Sequence, residues 1–358
     1  MKILLDVMGG DYAPLEFVKG AVECLNELDN DTEIELIGKE TEIDEVTNKL
    51  YGKSAKEISN RLIIKNANDV ITNHDTPTDA IKNKKDSSMC IGFQMLKDNE
   101  GDALISAGNT GALMAGGLLK VGRIKGIDRP ALCPVLPTID GVGVMLLDVG
   151  ANTNCKPINL VQFAQMGSIY MKKVKGIDNP PVGLLNIGAE EEKGSQLTKE
   201  THLLLKEQKD INFCGNVEAR EIMEGKARVV VTDGFTGNIA LKTIEGTGLT
   251  VKHMLTEELT SSLFRKLGAG ILSATGAIKS LKKRLDYSEY GGAILLGISH
   301  PIIKCHGSGK AKDVRIVLKQ AEKFIKSGVL EAIIDSVKED WNWVVDIFKI
   351  IYYCKYDG

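Results

Sequence analysis

The sequence is poor in several things, and each shortage closes off a class of protein. Aromatic residues make up 5% of the 358 positions and tryptophan occurs 2 times. Neither sign of charge prevails: 45 Lys+Arg stand against 48 Asp+Glu, a formal net charge of −3, so there is no basic surplus of the kind that draws a chain onto nucleic acid. The 7 cysteines include no CxxC pair. An odd, scattered set suits a reducing compartment and argues against a disulfide framework. No His/Cys cluster has metal-ligand spacing. No apolar run reaches the length of a membrane-spanning helix, and the opening MKILLDV, broken by Asp6, is too short for the core of a signal peptide. Three motifs are absent as well. Without a GxGxxG that opens a βα unit, a nicotinamide-dependent dehydrogenase is disfavoured. Without GxxxxGK[ST], so is nucleotide hydrolysis, and without GxSxG there is no serine nucleophile elbow.

What the sequence has is apolar content and glycine: 43% hydrophobic residues and 37 glycines, enough for one large domain or two small ones. The organising stretch is Ala103–Leu119, ALISAGNTGALMAGGLL. Ala103–Ala107 is a buried-strand pattern, Gly108–Asn109–Thr110–Gly111 a turn without bulk, and Ala112–Leu119 a tightly packed helix. A strand that ends in a small polar loop and opens a helix presents backbone N–H groups, which suits an anion. The glycines admit close approach of a ligand, and Asn109 and Thr110 add neutral hydrogen-bonding groups. An ordinary βα turn with a capping Asn or Thr looks the same.

Repetition distinguishes the two. Lys2–Val7 leads to Gly9–Gly10–Asp11, Val144–Val149 to Gly150–Ala151–Asn152, Val182–Ile187 to an acidic run closing on Lys193–Gly194, and Val229–Thr232 to Asp233–Gly234 and on to Asn238. Further strand patterns at Glu33–Ile37 and Arg61–Lys65 alternate with helical ones at Leu15–Leu28, Glu40–Leu50 and Ser87–Leu96. Alternation of this kind predicts βαβ units and a mainly parallel sheet. In one open sheet the loops at the carboxyl ends of parallel strands line one crevice, so the expectation is a polar pocket assembled from distant segments.

The motifs occur in an ordered series: MGGDYAP (Met8–Pro14), KKDSSM (Lys84–Met89), SAGNTGALMAGG (Ser106–Gly117), GIDRPAL (Gly126–Leu132), DVGAN (Asp148–Asn152), NIGAEEEKG (Asn186–Gly194), GNVE (Gly215–Glu218), TDGFTGNIALK (Thr232–Lys242), EYGGAILLG (Glu289–Gly297) and HGS (His306–Ser308). Over roughly residues 1–330 the chain resembles the bacterial acyl-[acyl-carrier-protein]:phosphate acyltransferases of phospholipid synthesis. The resemblance implies a Rossmann-like three-layer α/β/α fold related to phosphate acetyltransferases and isocitrate-dehydrogenase-like enzymes. It implies a homodimer without a cofactor, in the cytoplasm and peripherally membrane-associated, that turns acyl-carrier-protein thioester and inorganic phosphate into acyl phosphate. The product passes to a membrane acyltransferase acting on glycerol 3-phosphate. The sequence departs from the family at Arg228, where an acid is expected, at Gly309, where a second serine is expected, and in a longer, more aromatic tail.

Acyl transfer to phosphate needs no enzyme nucleophile, because phosphate itself attacks the thioester carbon. The protein must hold a dianion beside a carbonyl and stabilise the tetrahedral oxyanion. The expected parts are the Gly108–Gly111 loop for phosphate or oxyanion, and Asp11 at the sheet's edge after Lys2–Val7. Lys193 is either the site's cation or a surface lysine paired with Glu190–Glu192. Asn152, Asn216 and Asn238 are donors lining the cleft or caps of their own loops. Asp233 or Asp148 orients phosphate through its proton or caps a helix. His306 protonates the leaving sulfur or is a hydrogen-bonded structural histidine.

One catalytic domain is expected over residues 1–340, with a helical protrusion at about 239–285. There Leu267, Ile271, Ala274, Ile278, Leu281 and Leu285 form a heptad seam, ending beside Lys279, Lys282, Lys283 and Arg284. The seam suits dimer packing; the apolar stretch Leu263–Phe264 and Ala269–Leu272 beside basic residues suits a membrane surface. The aromatic tail, 341–358, is broken by Asn342, Asp346 and Lys349 and cannot span a bilayer. A scaffold that only recruits lipid-synthesis enzymes is the non-enzyme alternative; converging polar loops argue against it.

Overall fold

The computed structural model describes residues 1–276 and 290–338. Its strands fall into two sheets. The first contains β1 (Lys2–Asp6), β2 (Glu33–Gly38), β3 (Leu62–Asn66), β4 (Ala103–Ser106), β5 (Ala131–Cys133), β11 (Ala293–Leu296) and β12 (Ile302–Lys304), in the order β3-β2-β1-β4-β12-β11-β5. The second contains β6 (Val135–Leu136), β7 (Val144–Leu147), β8 (Val182–Asn186), β9 (Phe213–Glu218) and β10 (Val229–Val231), in the order β6-β7-β10-β8-β9. β1 pairs parallel with β2 and β4, and β12 with β4. β10 pairs parallel with β7 and β8, while β6 runs antiparallel to β7. Ile3, Leu4, Leu5, Val144–Leu147 and Val229–Val231 are wholly buried. Parallel strands covered on both faces need apolar residues throughout rather than alternation, which is why these runs are continuous.

The chain forms two compact units. Unit 1 comprises Met1–Pro130, Ile169–Asp178 and the residues from Ile294 onward; unit 2 comprises Ala131–Ser168 and Asn179–Ala293. The stretch 1–340 thus contains two compact units, and the loop-bearing strands are shared between sheets. β1 and β4 lie in the first, β7, β8 and β10 in the second. The argument from one open sheet to one crevice therefore does not hold. Local apolar runs fix strands, but sheet membership depends on partners far away in the chain.

In unit 1, helix α1 (Leu15–Cys24) packs on α11 (Ala311–Lys326). A Cβ on Gly20 would lie 2.7 Å from that of Val314, so the two helices touch nearly backbone to side chain. α5 (Ser88–Lys97) lies as closely on the sheet, with Gly92 against Leu104. A helix absent from the sequence expectations, α4 (Pro77–Asn83), follows the loop carrying His74 and Asp75, with Pro77 in its first turn, a position that tolerates the missing N–H. In unit 2, α8 (Gln196–Glu207) covers β8 and β9, and the expected helical region appears as α9 (Gly234–Thr260) and α10 (Leu263–Ala274). Ile278, Leu281, Leu285, the basic cluster Lys279 to Arg284, and the tail 341–358 lie outside the described residues.

Candidate active site

In unit 1 the loops at the ends of β1, β4 and β12 are knitted together. The Asp11 N–H donates to the carbonyl of Gly307 at 2.8 Å, joining the exposed Asp11 to the His306–Ser308 turn. Gly9 lies against Gly108, where a Cβ would meet the Gly108 nitrogen at 2.5 Å. Beneath them is Asp6, 1% exposed. Its carboxylate accepts from the Ser106 hydroxyl at 2.6 Å and the Met8 N–H at 3.1 Å, and the Ser106 oxygen in turn accepts the Gly108 N–H at 3.1 Å. Burial lifts the Asp6 carboxyl above its ordinary value, opposed by hydrogen bonds from Ser106, Ser88, Met8 and Gly9. In the sequence Asp6 registers only as an interruption of an apolar strand, which is itself the signal of a polar group with a fixed partner.

Asn109 is the N-cap of α6 (Thr110–Gly116), accepting the Ala112 N–H at 3.0 Å. Its amide donates to the carbonyls of Thr72 at 3.1 Å and Asp75 at 3.2 Å. Both amide protons are therefore spent inside the protein, and Asn109 holds the loop rather than offering donors outward. The Thr72–Asp75 turn is fixed by Lys84, whose ammonium meets Asp75 at 2.9 Å. That bond and those from Thr72 hold the Asp75 carboxyl down at about 2. The sequence also gave no sign of Lys304, whose ammonium donates to the carbonyls of Ala107 at 2.9 Å and Cys305 at 2.7 Å, at the foot of the same loop. His306 is exposed, and its Nδ1 lies 2.9 Å from the Ser308 hydroxyl oxygen and 3.3 Å from the Ser308 nitrogen.

In unit 2 the corresponding hub is Asp148, fully buried. Its carboxylate accepts from the backbone N–H groups of Leu132, Gly150, Ala151 and Asn152 and from the Asn152 amide, at 2.6–3.2 Å. Burial raises its pKa against those donors. Asp148 and Asn152 thus shape the loop. Helix α9 abuts it: the Gly234 N–H donates to the Asn152 carbonyl at 2.7 Å, and a Cβ on Gly237 would fall on the Asp148 carbonyl oxygen. Asp233 is the N-cap of α9, accepting from Phe235 and Thr236 N–H at 3.0 and 2.9 Å. Asn238 is exposed beside Gly150.

The third loop of unit 2 follows β8. Asn216 donates to the Glu190 carbonyl at 2.7 Å and faces His202 Nδ1 at 3.0 Å, so it too is committed internally. Lys193 is exposed, and among the described residues its ammonium forms no salt bridge. The pairing with Glu190–Glu192 weighed from the sequence is absent; Glu191 instead binds Lys206 at 2.8 Å. Arg228, the departure before β10, pairs with Asp140. Among the described residues no group of His, Cys, Asp and Glu is arranged to hold a metal ion.

Comparison with known proteins gives one consistent answer. The family described as "Fatty acid synthesis protein" matches residues 1–332. Proteins called phosphate acyltransferase are similar over nearly the whole chain. The one from Thermoanaerobacter pseudethanolicus is 52% identical over 94% of this chain and 98% of its own, and that from Bacillus subtilis 46% identical over 95% and 99%. Among solved structures, a phosphotransacetylase from Streptococcus pyogenes superposes with a TM-score of 0.58 at 15% identity, covering 91% of this chain and 94% of its own. A branched-chain phosphotransacylase from Enterococcus faecalis gives 0.54 at 15% identity, covering 91% and 99%. These two bear out the expected fold class. With a family match over residues 1–332 and relatives near half identical along their full length, the chain belongs to the fatty acid synthesis protein family.

Proposed function

We infer that the chain is a phosphate acyltransferase that moves an acyl group from acyl-carrier-protein thioester to inorganic phosphate. The observation that carries this reading is near-half identity to phosphate acyltransferases over 93–95% of the chain. The free ammonium of Lys193 fits it. A phosphate oxygen attacks the thioester carbon, the tetrahedral oxyanion collapses, the C–S bond breaks, and the carrier's thiolate leaves. Lys193 balances the charge of the dianion. In unit 1 the N–H groups of Thr110 and Gly111 at the start of α6 suit an anion, and Asp11 and His306 are exposed at strand ends of that unit; in unit 2 Asn238 is exposed. Asp148, Asn109, Asn152 and Asn216 hold their loops in shape, and Asp233 caps α9.

The test is direct: incubation with acyl-carrier-protein thioester and phosphate yields acyl phosphate, and absence of that product defeats the reading. Lys193→Ala lowers phosphate-dependent turnover by about 100-fold or more; an unchanged rate removes Lys193 from the mechanism. The protein also works as a homodimer against a membrane surface. The exposed apolar residues of the α9–α10 region support this, with Phe264 86% exposed and Leu267 61%. Among the described residues no helix is long and apolar enough to cross a membrane. Flotation with anionic vesicles should carry the protein and should fail for a Phe264→Ser, Leu267→Ser variant.

A further inference from the structure

His202 is 4% exposed, titratable, and unused by the chemistry above. It lies on α8 with its ring edge-on to Phe213, centroids 5.0 Å apart. Its hydrogen bonds have a fixed direction. The Glu190 carbonyl can only accept, so the Asn216 amide must turn its nitrogen toward Glu190, at 2.7 Å. That leaves the Asn216 oxygen facing His202 Nδ1 at 3.0 Å, and the ring must donate there. The Glu190 carbonyl also accepts the Lys193 N–H at 3.2 Å, and the Lys193 carbonyl accepts from Asn186 at 3.0 Å. The turn carrying Lys193 is thus pinned at both ends from beneath.

The neighbouring acids are handled from the same helix. Glu191 is drawn to Lys206 at 2.8 Å, with His202 Nε2 3.7 Å away. His202 and Lys206 are one helical turn apart, so one face of α8 reaches the turn's backbone through Asn216 and the Glu191 carboxylate directly.

We propose that His202 and Lys206 are positioning residues for Lys193: His202 fixes the Glu190 carbonyl through Asn216, while Lys206 takes Glu191 aside so that the Lys193 ammonium is presented without a carboxylate partner. The proposal rests on the reading of Lys193 as the phosphate-binding cation. Without the clamp Glu191 competes with phosphate for Lys193, and the deficit shows in phosphate affinity before it shows in the acyl donor.

Steady-state kinetics with varied inorganic phosphate and, separately, varied acyl-carrier-protein thioester test it. His202→Leu raises the KM for phosphate by about tenfold, as expected for loss of one buried hydrogen bond, with the KM for the thioester unchanged; His202→Asn, which keeps a donor near Nδ1, restores most of it. Lys206→Met, a surface change that spares the core, also raises the phosphate KM, and adding Glu191→Gln brings it back. A His202→Leu protein that melts like the parent and keeps its phosphate KM overturns the proposal, as does a Lys206→Met defect that Glu191→Gln does not relieve. If Lys193→Ala itself leaves phosphate kinetics unaltered, the fault lies in the underlying reading of Lys193; if Lys193→Ala weakens phosphate and the α8 variants do not, the proposal alone fails.

Discussion

Asp6 and Asp148 stand at the ends of parallel strands in different sheets, and both are buried beneath the loop that follows. They work by different wiring. Asp148 gathers backbone N–H groups from Leu132 and three consecutive residues after the strand. Asp6 reaches the Gly108 N–H only through the Ser106 hydroxyl. Removing the Asp148 side chain takes away the acceptor of a whole loop, whereas removing that of Asp6 leaves the Ser106 oxygen in place for Gly108. The loops that follow β4 and β7 are therefore shaped from beneath by buried acids.

This contrast can be broken by mutation. Asp148→Ala strands five donors in a dry interior and should cost about 4–5 kcal/mol or prevent folding, measured by urea denaturation. Asp6→Ala strands the Ser106 and Ser88 hydroxyls and the Met8 and Gly9 N–H groups but leaves Ser106 able to serve Gly108, so about 2–3 kcal/mol is expected. Equal costs for the two would mean that the wiring is irrelevant. Ser106→Ala, which orphans the Gly108 N–H and takes away one of the donors to Asp6, should cost about 1–2 kcal/mol. The smallest effect is acid sensitivity at the Thr72–Asp75 turn. The Lys84 ammonium first, then Thr72, lowers the Asp75 carboxyl from 3.8 to about 2. A depressed carboxylate contributes stability that is complete above 3.8 and disappears as the pH falls through about 2. Lys84→Met should therefore move the acid transition of this turn to higher pH, followed by the Thr72 amide resonance.

The strands were legible because each is a short apolar run with glycine or an acid close behind it, and β1, β4, β7, β8 and β10 all lie where those runs predict. Their division into two sheets was not, since β12 joins β4 by pairing Ile302 with Leu104, a fact no local window contains. The polar loop residues were legible as candidates but not as roles. Asn109, Asn152 and Asn216 look alike in sequence to Asn238; only their partners separate caps and struts from an exposed amide. Lys193 was the reverse case. Three adjacent glutamates left it open between a site cation and a paired surface lysine, and it took the position of Lys206, one helix later in the chain, to show where Glu191 goes.

The first sheet has a consequence for manufacture. β4 lies between β1, made before it, and β12, made only after all of unit 2. On the ribosome one edge of β4 emerges and waits with its backbone unpaired while the intervening residues are synthesised. Such an edge is a template for any other strand that meets it, and late closure slows the search for the native pairing. In that interval the open edge of β4, and not the stability of the finished fold, is the exposed point of the chain.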